Sequence, residues 1–310
     1  MTRKPFIVAE LSANHLGSHK RALALIDHAA ASGADAVKLQ TYTPEQMVAA
    51  GRRITEGPWA GRNALGLYRE AHTPREWHRD LFARARELGL VAFSSVFHPD
   101  DVDFLETLDC PIYKIASFEL TDHELIAHAV RTGKPLIIST GMATLDEIGE
   151  AVHAAAGCQD LTLLKCTSAY PAKAVDANLA AGQALSGYTF GRIAIGTKWG
   201  LSDHTMGIGV AVAAAALGAT MIEKHLTLAR SDGGLDAAFS MEPAEFAQLV
   251  TECRRASAAV GEVCYGPTNG ERPQLALRRS SGGQRGNGIR FPIDGLSPEE
   301  QALLSVTQSR

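Results

Sequence analysis

The chain has 310 residues, 21% of them charged, and a formal net charge of −4, so its electrostatics do not favour nucleic acid or a membrane surface as partners. A hydrophobic fraction of 45% is typical of a globular protein with a substantial core. The apolar run at residues 6–10 is too short for an export signal, and we find no membrane-span pattern. Five widely spaced cysteines without a CxxC pair favour a reducing cytoplasm.

Short apolar runs alternate with longer alanine-rich stretches, which predicts repeated βα units around a parallel sheet. The predicted strands are residues 6–10, 36–40, 91–94, 112–115, 136–140, 161–166, 193–195 and 221–225. Eight such units in about 260 residues, without a glycine-rich dinucleotide turn, favour a closed (β/α)8 TIM barrel over a doubly wound sheet.

Helices are predicted between the strands at residues 18–32, 73–88, 99–108, 122–132, 145–156, 205–217 and 243–260, with a short one at 176–186. Ser18 is the expected cap of the first helix, and residues 73–76 match a capping box that would open the second. The long polar insertion at 43–73 is expected to contribute to substrate specificity, because loops of that length are usually functional. We expect residues 1–265 to form the barrel and 266–310 a short irregular tail, with one short helix at 297–304.

Most of the predicted strands end in reactive or hydrogen-bonding side chains. Because parallel barrel strands end on one rim, where barrel enzymes carry their chemistry, these side chains predict a single site. Lys38 and Lys114 supply positive charge, and neighbouring hydroxyl groups supply donors, for a small phosphate or carboxylate anion. The hydroxyl groups are those of Ser95, Ser117, Ser139 and Ser202.

Two histidines each end a short run of apolar or small residues, and we expect them at the mouths of two neighbouring strands. His204 and His225 are suited to a catalytic divalent ion with open positions for water or substrate, and imidazole alone would allow zinc, manganese, iron or cobalt. Glu10, Glu119 and Asp236 are candidates for proton transfer. Each residue alone has a structural alternative: a packed histidine, a solvated lysine, or a glutamate that begins a helix. Cys166 is expected to be a small buried hydrophobe. It is the convergence on one rim that favours a site.

Seven motifs occur in order between residues 5 and 265. They are AELSANH at 9–15, ADAVKLQTY at 34–42, YKIAS at 113–117, STGM at 139–142, KCTSAYP at 165–171, GLSDH at 200–204 and IEKH at 222–225. In this order and register the motifs resemble the sialic acid synthase family, most closely its pseudaminic acid synthase branch.

The resemblance implies a C–C bond-forming transferase that condenses phosphoenolpyruvate with the aldehyde of an open-chain N-acetylated amino sugar. The products would be phosphate and a nonulosonic acid such as pseudaminic acid. Mn²⁺ or Mg²⁺ on His204 and His225 would polarise the aldehyde oxygen, and Glu10 or Glu119 would serve as base for the water that adds. By the same resemblance, phosphoenolpyruvate would contact Lys38, Ser95, Lys114, Ser117, Ser139, Ser168 and Ser202. The aldehyde substrate would face Gln40, Glu119, Tyr170 and Asp236, the last three with catalytic roles.

The tail departs from the family, whose members usually continue into an antifreeze-like domain that covers the partner's sugar site in a dimer. We expect residues 266–310 to be too short for that domain. A homodimer is still considered, because barrels often dimerise. The alternatives are a different acceptor such as a nucleoside-linked aldehyde, a metal-dependent aldolase, and a non-catalytic homologue. A Schiff base through Lys38, Lys114 or Lys165 is a further competitor.

Overall fold

The computed structural model describes residues 4–48, 53–55, 59–187, 189–190, 193–194 and 197–278. Within these ranges, eight parallel strands close into a barrel in the order β1-β8-β7-β6-β5-β4-β3-β2. They are β1 Phe6–Glu10, β2 Ala36–Thr41, β3 Val91–Val96, β4 Tyr113–Ile115, β5 Leu136–Ser139, β6 Leu161–Cys166, β7 Lys198–Asp203 and β8 Met221–His225. The predicted TIM barrel is confirmed.

The seventh strand is not where the apolar pattern predicted it. Ile193–Ala194 pairs antiparallel with Thr189–Phe190 in a separate two-stranded ribbon, whereas Lys198–Asp203 forms β7 between β6 and β8. A Cβ on Gly200 would lie 2.6 Å from both Leu164 Cδ2 and the Met221 carbonyl oxygen. The packing therefore requires a glycine in mid-strand, which interrupts the apolar run by which strands are recognised.

Helices follow the strands around the outside of the barrel. They are α1 His19–Ala31, α2 Pro44–Met47, α3 Ala64–Ala71, α4 His78–Glu87, α5 Pro99–Glu106, α6 His123–Val130, α7 Leu145–Ala154, α8 Leu179–Ala184, α9 Gly209–Ala216 and α10 Pro243–Val260. Ser18 caps α1 as predicted, by accepting from the backbone N–H of Arg21. The predicted capping box at residues 73–76 is wrong, because Arg75–Trp77 forms a 3-10 turn without a side-chain cap.

One continuous apolar core fills the space between the strands and the helices. Leu25 and Ile26 of α1, Phe82 of α4, and Phe246 and Leu249 of α10 are almost completely buried in it. Burial of each such side chain contributes about 1.5–3 kcal/mol. This packing holds the strands rigidly, so the polar residues at their carboxyl ends have defined positions.

By its backbone contacts the chain divides into residues 1–261 and 262–310. The described part of the second unit, residues 262–278, contains the 3-10 helix Arg272–Leu277, while the predicted helix at 297–304 lies outside the described residues. Across the ranges that are described, no helix has both the length and the apolar character that a membrane crossing requires.

Candidate active site

A cavity of about 680 Å³ opens where the carboxyl ends of the strands meet. Every residue predicted for the site lines this cavity except Ser168. The Ser168 hydroxyl lies beside the cavity, 3.9 Å from Cys166 Sγ, where a Cβ on Gly141 would come within 2.4 Å of it.

Four charged side chains form the floor of the cavity, each at most 5% exposed. Lys38 Nζ lies 2.8 Å from Glu10 Oε2 and 3.2 Å from Glu223 Oε1. Lys114 Nζ donates to both oxygens of Glu223, at 3.0 and 3.1 Å. Lys38 also donates to Ser95 Oγ at 3.2 Å. The floor is thus a preorganised network in which the two lysines are held together by one shared carboxylate.

The two glutamates of the floor have opposite pKa shifts. Burial raises the pKa of Glu10 to about 7, although the nearby Lys38 opposes the shift. Burial acts on Glu223 too, but the charges of Lys114 and Lys38 outweigh it and hold the pKa of Glu223 below its usual value. Glu223 is therefore the permanent anion of the network, and Glu10 is the carboxyl group that can take up a proton near neutral pH.

Glu223 received no role from its sequence position. It is registered with Ser202 on β7, whose hydroxyl donates to Glu223 Oε1 at 3.0 Å. The available signal was its spacing from His225, because residues two apart on a strand face the same side. Glu-x-His at the end of a barrel strand places both side chains in the interior.

The two histidines lie side by side, with ring centroids 5.4 Å apart. His204 Nδ1 lies 3.0 Å from the carbonyl oxygen of Thr167, which assigns a proton to Nδ1 and makes Nε2 the nitrogen that can bind a ligand. Burial opposes protonation of His204, but contact with Cys166 outweighs it and raises the pKa of His204. His225 Nδ1 is buried without a hydrogen-bond partner, 4.0 Å from Asp236 Oδ2. Burial, together with the neighbouring positive charges, lowers the pKa of His225 well below its usual value, so the ring is neutral.

The two imidazoles and a nearby carboxylate form a donor set that suits a divalent cation. Among the described residues, no three His, Cys, Asp or Glu side chains converge closely enough to hold an ion by themselves. The pair of His204 and His225 is therefore a partial ligand set, in which water or substrate oxygen would complete the coordination. An unpaired buried nitrogen on His225 is the observation that favours this fit, since buried polar atoms rarely lack a partner.

The side of the cavity predicted for the aldehyde is linked to the floor by hydrogen bonds. Gln40 donates to Glu10 Oε1 at 3.2 Å and to Ser12 Oγ at 3.1 Å, and the Ser12 hydroxyl donates to Asp236. Glu119 stands apart, with Oε2 buried and unpartnered. Burial raises the pKa of Glu119 to about 7. Ser12 was missed by sequence reasoning, although it lies in the AELSANH motif.

An aromatic wall rises above the polar floor. It consists of Tyr42, Trp59, Tyr68, Phe97 and Tyr170. Trp59 lies against Tyr170, with ring centroids 6.0 Å apart, and its indole N–H donates to the Leu235 carbonyl oxygen at 3.3 Å. The predicted insertion at 43–73 supplies Trp59 and Tyr68. The sequence located this insertion but not the side chains that it turns inward.

Two residues next to the predicted site have contacts that the sequence did not indicate. Cys166 is buried as expected but lines the cavity, and its pKa is lowered to about 7 because contact with His204 outweighs burial. Lys165 Nζ donates to the Cys166 carbonyl oxygen at 2.6 Å and does not line the cavity. This position argues against a Schiff base through Lys165.

Comparison with known proteins agrees with this geometry. The NeuB family model matches residues 25–265. The chain belongs to the NeuB family. It is 46% identical over 271 residues to a pseudaminic acid synthase of Helicobacter pylori, across 84% of this chain and 77% of that protein. It is 34% identical over 289 residues to an N,N'-diacetyllegionaminic acid synthase of Campylobacter jejuni, across 90% and 84%.

The fold has a close relative among solved structures. The crystal structure of N-acetylneuraminic acid (sialic acid) synthetase from Leptospira borgpetersenii, in complex with citrate, matches with a TM-score of 0.77 and 33% identity. The match covers 88% of this chain and 91% of that one. The resemblance carried by the seven motifs is therefore confirmed.

Proposed function

We propose that the protein condenses phosphoenolpyruvate with the aldehyde of an open-chain N-acetylated amino sugar, giving a nonulosonic acid of the pseudaminic acid type and phosphate. The single observation that carries the proposal is that the buried lysine floor and the histidine pair line one cavity. The 46% identity to a pseudaminic acid synthase supports this type of product.

Phosphoenolpyruvate is assigned to the floor. Lys38 and Lys114 offer charge-assisted hydrogen bonds, and Ser139 Oγ is buried without a partner and therefore available to a ligand. The two lysines and two glutamates of the floor cancel in charge when all are ionised. Proton uptake by Glu10, whose pKa is about 7, leaves a net positive floor that attracts the anion.

His204 and His225 are assigned to a divalent cation, Mn²⁺ or Mg²⁺. Such an ion would supply Lewis acidity toward the aldehyde oxygen when bound. The chain's own contribution is to orient His204 through the Thr167 carbonyl oxygen and to keep His225 neutral through burial.

The condensation joins the methylene carbon of phosphoenolpyruvate to the aldehyde carbon, and water adds at the carbon that bears phosphate before phosphate leaves. The water must lose a proton, and the aldehyde oxygen must gain one. Glu119 is the candidate base for the water, because its Oε2 is unpartnered and its pKa is about 7, near the operating pH. Glu10 is the alternative, with a similar pKa.

The acceptor is assigned to the opposite side of the cavity. Gln40, Tyr170 and Asp236 supply hydrogen-bonding groups there, and the aromatic wall supplies an apolar surface for the sugar's substituents.

The homodimer and the cytoplasmic location stay predictions from the sequence.

The test is to incubate the protein with phosphoenolpyruvate, Mn²⁺ and a panel of N-acetylated amino sugars. The expected result is phosphate release that requires a sugar, together with a product longer by three carbons in mass spectrometry. Phosphate release without a sugar, or no phosphate with any sugar, contradicts the proposal.

Two further arms separate the alternatives. A metal-dependent aldolase would join pyruvate itself to the sugar, without phosphoenolpyruvate. A Schiff-base enzyme would become covalently labelled when borohydride is added with the carbonyl substrate. Neither outcome is expected here.

A further inference from the structure

A buried ion pair joins the two residues that immediately precede His204 and His225 in the chain. Lys224 Nζ is 2.7 Å from Asp203 Oδ2, and each side chain is 1% exposed. The two residues are registered partners on β8 and β7, and each immediately precedes a site histidine in the chain. Neither lines the cavity, because alternation along the strands turns them away from the interior that holds Glu223 and His225.

The pair also holds the backbone that follows His204. Lys224 Nζ donates to the Thr205 carbonyl oxygen at 2.6 Å. Asp203 Oδ1 accepts from the Thr205 backbone N–H at 2.8 Å and from its hydroxyl at 2.7 Å. The His204 carbonyl oxygen in turn accepts from Ala172 N at 3.0 Å. The backbone of residues 203–205 is therefore held on both sides of His204.

Stability alone does not account for a charged pair at this position. The free-energy cost of desolvating two buried charges offsets most of their attraction. Proteins with hydrophobic replacements of similar volume are often as stable or more stable. A short, directional pair instead fixes the relative position of the two residues that form it. Here it links the two strand ends that must present His204 and His225 at a defined separation.

We propose that Lys224 and Asp203 are positioning residues that set the spacing of the two histidines for a divalent cation. This inference rests on the proposed function only in taking His204 and His225 as the cation's ligands. Groups that hydrogen-bond metal ligands typically change metal affinity 10- to 100-fold when they are removed. A change of about that size is expected here from a pair that acts on the two histidines through their backbone.

The decisive variant removes both charges together. Asp203→Asn with Lys224→Met keeps an oxygen acceptor for Thr205 and leaves no buried charge unpaired, while it breaks the link between the strands. Lys224→Met alone leaves the Asp203 carboxylate buried and unpaired, so it is expected to lower the melting temperature as well. Mn²⁺ binding is measured without substrate, from the electron paramagnetic resonance signal of the free ion, and thermal melts are recorded in parallel.

The matched control lies at the other end of β7. Lys198 forms a pair with Asp160 at 2.7 Å, with side chains 39% and 42% exposed. Lys198→Met removes a lysine from the same strand, and its Mn²⁺ dissociation constant should equal that of the parent.

The expected result is a double variant with a melting temperature near that of the parent and a Mn²⁺ dissociation constant raised about 10- to 100-fold. Unchanged Mn²⁺ affinity in the double variant overturns the inference. So does a loss of affinity that is confined to variants whose melting temperature also falls. A parent that binds no Mn²⁺ overturns it too. If the double variant does not fold, Asp203→Glu serves, because it keeps both charges paired while it changes the length of the link, and an unchanged constant there is equally contrary.

Failure of the proposed function would look different. A parent that binds Mn²⁺ but releases no phosphate from phosphoenolpyruvate with any amino sugar removes the proposed function. The positioning role would still stand if the double variant binds Mn²⁺ more weakly than that parent.

Discussion

Lys114 Nζ lies 3.0 and 3.1 Å from the two carboxylate oxygens of Glu223, across the barrel interior from β4 to β8. The two strands are not neighbours in the sheet, so the contact is made through the middle of the barrel. Glu223 also lies 3.2 Å from Lys38 Nζ. One internal carboxylate therefore holds both lysines in place before any anion arrives, which is the condition for a preorganised anion site.

Glu223→Gln should destabilise the free protein and make its stability depend on phosphoenolpyruvate. Removal of one partner of a buried ion pair costs about 3–5 kcal/mol, because an uncompensated charge remains. A bound anion supplies the missing negative charge, so phosphoenolpyruvate should restore more stability to the variant than it adds to the parent. Denaturant unfolding with and without phosphoenolpyruvate measures both quantities.

The control for Glu223 is Glu87→Gln, since Glu87 forms an exposed pair with Arg84. Exposed pairs contribute about 0–1 kcal/mol, so this variant should resemble the parent in both measurements. Equal stabilisation of the parent and Glu223→Gln by phosphoenolpyruvate would contradict the role assigned to Glu223.

Lys114 and Lys165 offer a matched pair of substitutions at the ends of β4 and β6. Lys114→Met removes a charge-assisted donor from the floor, so the KM for phosphoenolpyruvate should rise roughly 10- to 100-fold. Lys165→Met removes an equal charge from a side chain outside the cavity, and this KM should stay near that of the parent. The reverse order of effects would mean that the anion does not bind at the floor.

Glu119 should control the acid side of the pH profile. Because its pKa is raised by burial to about 7 and a base acts when deprotonated, kcat/KM should fall about tenfold per pH unit below that value. Glu119→Gln should remove this limb and most of the turnover, while the exposed Glu124→Gln should retain both. Full turnover in Glu119→Gln excludes Glu119 as the base, and a surviving limb with reduced turnover would assign it to Glu10.

The strand ends were readable from the sequence because a barrel gathers every parallel strand at one rim. Lys38, Lys114 and His225 each follow an apolar run, so their types and positions located the site without any contact being known. The strand prediction failed for β7, because the packing beside Leu164 requires a glycine at position 200, which interrupts the apolar run.

Partnerships across the barrel could not be predicted in the same way. The sequence placed Glu223 beside His225 but could not show that it binds two lysines from β2 and β4. The role of Trp59 could not be predicted either, because its contact with Tyr170 depends on how the insertion folds over the rim. Such contacts join residues far apart in the chain, and local patterns carry no signal for them.

Gly141 should tolerate no side chain, because of the hydroxyl groups around it. A Cβ there would lie 2.8 Å from Ser117 Oγ, which also accepts from the Gly141 backbone N–H at 3.2 Å. Gly141→Ala should displace Ser117 and raise the KM for phosphoenolpyruvate roughly tenfold, the value of about one hydrogen bond. Gly209→Ala is the control, since nothing lies within 4 Å of a Cβ at that position. An unchanged KM in Gly141→Ala would remove Ser117 from the anion site.

Trp59 should act on the acceptor and not on phosphoenolpyruvate. Its ring forms part of the wall against Tyr170, and its indole N–H binds the Leu235 carbonyl oxygen. Trp59→Ala should raise the KM for the amino sugar about tenfold, since an aromatic contact contributes about 0.5–1.5 kcal/mol and its hydrogen bond about as much. Trp59→Phe keeps a ring but loses the hydrogen bond, so its KM for the amino sugar should lie between the values of the parent and of Trp59→Ala. A rise in the KM for phosphoenolpyruvate of the same size would mean that Trp59 shapes the whole cavity, and that the insertion does not determine the acceptor.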